Sequence, residues 1–193
     1  MNPLFEQDAF VIKRKKLSTD KLRVFSGADT FLMYAEQKIK WKPPFTATIR
    51  VWADEDKRLE ILTATDAGGH EYENFLEVKD VVTGESVGGI GFDMNIIKDG
   101  YKVMDSNGEL LAEIKEPGFG RSLARLVSRG MIAQKLVVLM GDQTVGTMEQ
   151  KHALVGNHLR IEMNPQSAAK VDHRLVVAAG VFIAAYQAKE DLD

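Results

Sequence analysis

Apolar and polar residues alternate along most of the chain, and the alternation stops near the C-terminus. Residues 9–15, 22–25, 30–36, 45–52, 59–65, 75–80, 87–90, 101–105, 110–114, 136–140, 145–148 and 158–163 read as strands, roughly twelve in all. Period two places one set of side chains in a core and the other in water. Between the runs lie turn residues: Ser26-Gly27-Ala28-Asp29, Ser106-Asn107-Gly108, and Gly141-Asp142-Gln143. Glycine and asparagine accept the positive φ of tight hairpin turns. Pro43-Pro44 is a break, because two prolines cannot sit inside a central strand. The same strand–turn–strand unit recurs at uneven spacing, so the pattern is a reused hairpin and not a solenoid.

Residues 171–188 obey a different rule. From Leu175 to Tyr186 there is no charge. A helix that meets water on one side shows a polar face at the 3.6-residue period, and this one shows none. It is predicted to be buried all round. Spanning a bilayer takes about 20 apolar residues. The stretch is shorter and has Asp172, His173 and Arg174 before it and Lys189, Glu190 and Asp191 after, so a protein interior is the expected surrounding. Ala178, Ala179, Gly180, Ala184 and Ala185 let something pack close to its backbone.

Roughly twelve strands and one wholly apolar helix predict a mainly β fold: a closed antiparallel barrel around a buried C-terminal helix. Closure removes the sheet edges, and the helix covers the apolar inner face. Gly88, Gly89 and Gly91 are expected to let the wall approach the helix. A short connector helix is predicted over 121–129, stopped by Gly130.

Composition narrows the function. With 193 residues and 45% hydrophobic content, a single domain with a sizeable core is expected. There is no cysteine, hence no disulfide and no thiolate chemistry. The N-terminal sequence lacks the pattern of a secretory signal, which predicts a cytoplasmic protein.

The net charge of −3 is unevenly spread. Residues 13–42 hold nine basic residues (Lys13, Arg14, Lys15, Lys16, Lys21, Arg23, Lys38, Lys40, Lys42) and three acids (Asp20, Asp29, Glu36). Such a segment suits an anionic partner, a phosphate head group more than nucleic acid on this otherwise acidic chain. The alternative is a set of strands with solvated lysine faces and blunted edges. Arg121, Arg125 and Arg129 fall on one face of the connector helix and repel one another unless an anion or acid lies opposite.

No catalytic signature is present. His70, His152, His158 and His173 form no HExxH pair, and Ser122 and Ser128 lack a nucleophile elbow. Gly88–Gly91 is not followed by the lysine and hydroxyl of a phosphate loop. A non-enzymatic protein with no cofactor and no metal is expected.

Three stretches resemble a known family: TFLMYAEQK at 30–38, YKVMDSNGELLAEI at 101–114, and VDHR at 171–174 leading into the apolar helix. In this order they are similar to the tubby C-terminal-like superfamily, in its phospholipid scramblase and LURF-one-related branch, over about residues 5–188. The resemblance implies a twelve-stranded barrel around a central helix. It also implies a peripheral binder of anionic lipid, such as phosphoinositide head groups, or a protein-interaction domain with no small ligand. The acidic calcium segment proposed for scramblases is not matched, since residues 157–171 hold Glu162 as their one acid. Lys13, Arg14, Lys15, Lys16, Lys38, Lys40, Lys42, Arg121, Arg125 and Arg129 are the candidate ligand-binding residues.

Overall fold

Strands form at each predicted run: β1 (Ala9–Arg14), β2 (Lys21–Ser26), β3 (Phe31–Lys40), β4 (Thr46–Trp52), β5 (Glu60–Asp66), β6 (Asn74–Asp80), β7 (Ser86–Phe92), β8 (Tyr101–Met104), β9 (Leu110–Lys115), β10 (Lys135–Met140), β11 (Gln143–Lys151) and β12 (His158–Met163). A computed structural model describes residues 2–15, 18, 20–40, 45–68, 74–92, 100–117, 134–151, 158–168 and 170–190. Each strand pairs antiparallel with the next, and β1 closes the ring against β12. β3 runs to Lys40, past the predicted end at residue 36. Pairing with β4 carries it on, with Lys38 opposite Thr48 and Lys40 opposite Thr46.

Helices α1 (Pro165–Ala168) and α2 (His173–Glu190) follow β12. The predicted connector helix, with Arg121, Arg125 and Arg129, lies outside the described residues. So do Lys16 and Lys42.

The barrel is filled by α2. From Leu175 to Ala185 every side chain of α2, with Gly180 between, is buried. Its apolar residues join one cluster with the inward residues of the wall, among them Phe10, Ile12, Val24, Ile49, Leu76, Ile90, Val103, Ile114, Val138 and Ile161. Phe182 packs on Phe92 at 4.6 Å between ring centroids and edge-on to Tyr101 at 6.0 Å. A helix with side chains is about 10–12 Å across, and barrel diameter grows with strand number. Eight strands enclose room for side chains alone; twelve make room for the helix.

Gly180 sits where a Cβ would collide with Ile12 and Ile161, so the close approach read from its sequence is real. At Gly89 the reading needs correction. A Cβ there would strike the ring of Phe75, which lies outside the core cluster. The glycine lets an aromatic side chain lie across the wall; the helix is not what approaches it.

The stretch before α2 is also less wet than its sequence suggests. The Asp172 carbonyl accepts the N–H groups of Leu175 and Val176, and its Oδ1 accepts that of Arg174, which caps the helix. The Arg174 guanidinium donates to both Asp172 oxygens and, from Nη1 at 2.7 Å, to Asp80 Oδ2 on β6. Asp80 Oδ1 in turn accepts the N–H groups of Val82 and Thr83. Arg174 and Asp80 are both mostly buried. His173 Nδ1 lies 2.8 Å from the Phe5 carbonyl, in the 3₁₀ turn Pro3–Phe5, and its ring stands edge-on to Phe10. The VDHR stretch therefore locks the start of the helix into the barrel mouth. Outward positions on β3 include Glu36, Lys38 and Lys40, the reverse of a lipid-facing strand. Among the described residues no helix is long and apolar enough to cross a membrane.

Ala179→Asp is expected to cost more than about 4 kcal/mol, since an unpaired carboxylate would sit among apolar side chains. Thermal unfolding near the wild-type temperature would contradict this. Burial tends to raise the Asp80 carboxyl, but the Thr83 and Val82 N–H groups and Arg174 outweigh it and hold the pKa below its ordinary 3.8. A depressed pKa stabilises the fold above the ordinary carboxylate value, and that stability is lost as pH falls through the depressed value. Asp80→Asn should therefore lower the melting temperature at pH 7 and flatten its decline below about pH 4. Parallel pH profiles for the two proteins would refute the assignment.

Candidate functional site

Strands β1 to β4 turn one outer face to solvent, and the register decides what gathers there. Inward positions on β3 are Met33, Ala35 and Gln37, so Tyr34, Glu36, Lys38 and Lys40 point outward. On β4 the inward set is Ala47, Ile49 and Val51, which leaves Arg50 and Trp52 outside. Pairing brings Lys13 opposite Arg23, Arg23 opposite Tyr34, and Tyr34 opposite Trp52. In the other direction Lys13 faces His158 and His158 faces Lys151. Lys151, His158, Lys13 and Arg23 thus make a row across four strands, with cations at Lys151, Lys13 and Arg23. Burial, then Lys13, Lys151 and Arg160, hold the His158 pKa below its ordinary value.

Most cations here are already paired. Lys13 Nζ meets Asp29 Oδ1 at 2.5 Å and lies 4.4 Å from the centre of the Phe25 ring. Lys15 reaches Glu55 at 3.3 Å. Arg23 Nη2 donates to the same Glu55 oxygen at 3.0 Å. Lys57 Nζ lies 2.6 Å from Glu36, which also accepts the Tyr34 hydroxyl at 2.8 Å. Arg23 holds the Glu55 pKa below its ordinary value against slight burial, with help from Lys15. Burial tends to raise the Glu36 carboxyl, but Lys57 and Tyr34 hold it below its ordinary value. Burial, with Glu36 beside it, pushes the Tyr34 phenol far up.

Lys38 and Lys40 differ. Both are exposed, their β4 neighbours are Thr48 and Thr46, and among the described residues neither has an ion pair. Arg14 ends β1 and is half-buried. The structure thus gathers Lys13 and Lys15 with Arg23, sets Lys38 and Lys40 further along the same face, and leaves Arg14 apart from the row.

Among the described residues, the two ends of the barrel differ in charge. At the end where α2 begins, the turns 27–30, 53–59, 81–85, 105–109 and 141–142 hold eight acids against Lys57 and Arg58. Strand termini at the other end hold Lys21, Lys40, Lys115, Lys135 and Lys151 against Asp66. The exposed large apolar residues among those described, Phe31, Leu59, Val81, Val82 and Leu110, all lie at the acidic end.

Tyr34, Glu36, Trp52, Glu55 and Lys57 were not among the residues singled out by sequence. One signal was legible: alternation on β4 puts Trp52 on the outward parity, and a large aromatic there requires cover. The cover is the 53–58 turn, with Lys57 over the Trp52 ring. No group of three or more histidine and acidic side chains among the described residues is arranged to hold a metal. Comparison with known proteins returns no matching family, no matching curated protein and no matching solved structure.

Proposed function

We propose that this chain is a non-enzymatic, tubby- and scramblase-like module that binds anionic lipid or phosphate-bearing ligands at the outer face of β2 and β3. The observation that carries the reading is the exposed pair Lys38 and Lys40, which face Thr48 and Thr46 and make no ion pair among the described residues. Two neighbouring lysines near an anionic surface contribute about 1 kcal/mol each. The charge difference between the barrel ends adds direction: an anionic surface attracts the rim near Lys40 and repels the acidic turns. The barrel around a C-terminal helix is the architecture that the sequence resemblance implies. The helix fills the interior, which leaves the outer face and loops as the place for a ligand.

A second reading has its own support. Val81 N–H donates to the Ile61 carbonyl, which brings the Val81-Val82 tip to the start of β5, two residues from Leu59. Val82 is 62% exposed, and Leu59 and Val81 are exposed with it on the acidic end, an apolar knob in outline. A protein partner with apolar and basic residues fits that knob better than an anionic membrane does.

Co-sedimentation with phosphatidylglycerol vesicles tests the first reading. Binding is expected at low salt, lost at high salt, and weakened about tenfold or more by Lys38→Glu with Lys40→Glu. No binding at low salt, or binding indifferent to salt and to the two substitutions, would sink it.

A further inference from the structure

The turn over the outer face makes its contacts with that face through two side chains of opposite charge. Its own bonds keep it closed: Ala53 N–H to the Leu59 carbonyl, Lys57 N–H to the Asp54 carbonyl, and Arg58 to the Asp54 carboxylate. From this closed turn Glu55 reaches Lys15 and Arg23, and Lys57 reaches Glu36. The Lys57 ammonium also lies 5.3 Å from the Trp52 ring centre and 5.8 Å from that of Tyr34. An ammonium over two aromatic rings and against a carboxylate is the chemistry by which proteins hold substituted ammonium groups. A carboxylate between a lysine and an arginine is the chemistry by which they hold an anion.

The turn carries backbone strain at the residue that covers the rings. Lys57 has φ +60°, a left-handed conformation unfavourable for a residue with a side chain. Arg23 meets both Glu55 oxygens, Nε at 2.5 Å from Oε1 and Nη2 at 3.0 Å from Oε2, a side-on bidentate pair. The same guanidinium fork takes two oxygens of a phosphate. Tyr34 and Trp52 are 3% and 6% exposed although neither belongs to the barrel core, so the aromatic floor is ready-made beneath the turn.

We propose that Lys15 and Arg23, with Tyr34, Trp52 and Glu36, form a binding site for a zwitterionic phosphoammonium group of the phosphocholine type, and that Glu55 and Lys57 occupy it as an internal stand-in. Lys15 and Arg23 take the phosphate; the two rings and Glu36 take the ammonium. The turn lifts as a unit, because its own bonds survive while its two side chains let go. This rests on reading the outer face as a head-group surface, and it names the ligand class that one part of that face selects.

The probe is free phosphocholine, followed by Trp52 fluorescence in a Trp41→Phe background. The wild type is compared with Glu55→Gln carrying Lys57→Gln. A tethered competitor acts at about millimolar effective concentration, so its removal should tighten phosphocholine binding about tenfold or more. Inorganic phosphate and choline chloride, tested separately, should each bind more weakly than phosphocholine. Glu36→Gln should weaken choline and phosphocholine while leaving phosphate unchanged. Phosphatidylcholine vesicles separate a lipid source from a soluble one; binding of either by this site upholds the assignment. Failure of phosphocholine to saturate the double variant, equal affinity in variant and wild type, or phosphate binding as tight as phosphocholine would overturn it. Should the double variant not fold, amide chemical shifts of the wild type titrated with phosphocholine decide the matter: movement at 53–58 supports the site, and stillness there refutes it. Loss of this binding with retained, salt-sensitive adsorption to phosphatidylglycerol vesicles overturns the zwitterionic site alone.

Discussion

A helix with no wet face has to be covered on every side, and the rest of this structure follows from that constraint. Desolvating α2 is favourable only if apolar surface surrounds it completely. A flat sheet covers one side. A ring of twelve strands covers all of them and leaves no unpaired edge. The small residues of α2 bring the wall in, and at Gly180 the side chains of Ile12 and Ile161 take the space a Cβ would need. Phe182, Phe92 and Tyr101 pack ring against ring between the helix and the wall.

Filling the barrel has a cost at the mouth, where the backbone and charges at the start of α2 must also be satisfied. Asp172, Arg174 and Asp80 do this together, with the helix cap, the ion pair and the β6–β7 turn sharing the same two carboxylates. A buried ion pair is a weak source of net stability, and removing one partner is expensive. Its better use is to specify register: it fixes how deep the helix sits and which strand it faces.

With the interior used as scaffold, recognition is left to the outer wall and the loops. Alternation that drives apolar side chains inward drives Lys38, Lys40, Tyr34 and Glu36 outward. The hairpin order then gathers acidic turns at one end and basic strand termini at the other, so the molecule carries its charge along the barrel axis. The sequence registers this charge as a basic segment on an acidic chain, without its direction.

Period two along the strands, glycine and asparagine at the turns, and the uncharged run at 175–186 determined the number of strands, their order and the burial of the helix. They did so because each is a local property, set by side-chain spacing and backbone preference. The partners of charged residues are not local. Arg174 meets Asp80 from 94 positions away, and Glu55 meets Lys15 from 40. From sequence, residues 13–42 were a solvated or ligand-seeking segment. Tertiary structure alone decided that Lys13, Lys15 and Arg23 are paired, that Lys38 and Lys40 are not, and that a lysine lies over Tyr34 and Trp52. Strand register places these groups within ångströms of one another, and Coulomb energy, which depends on separation in space and not along the chain, does the rest.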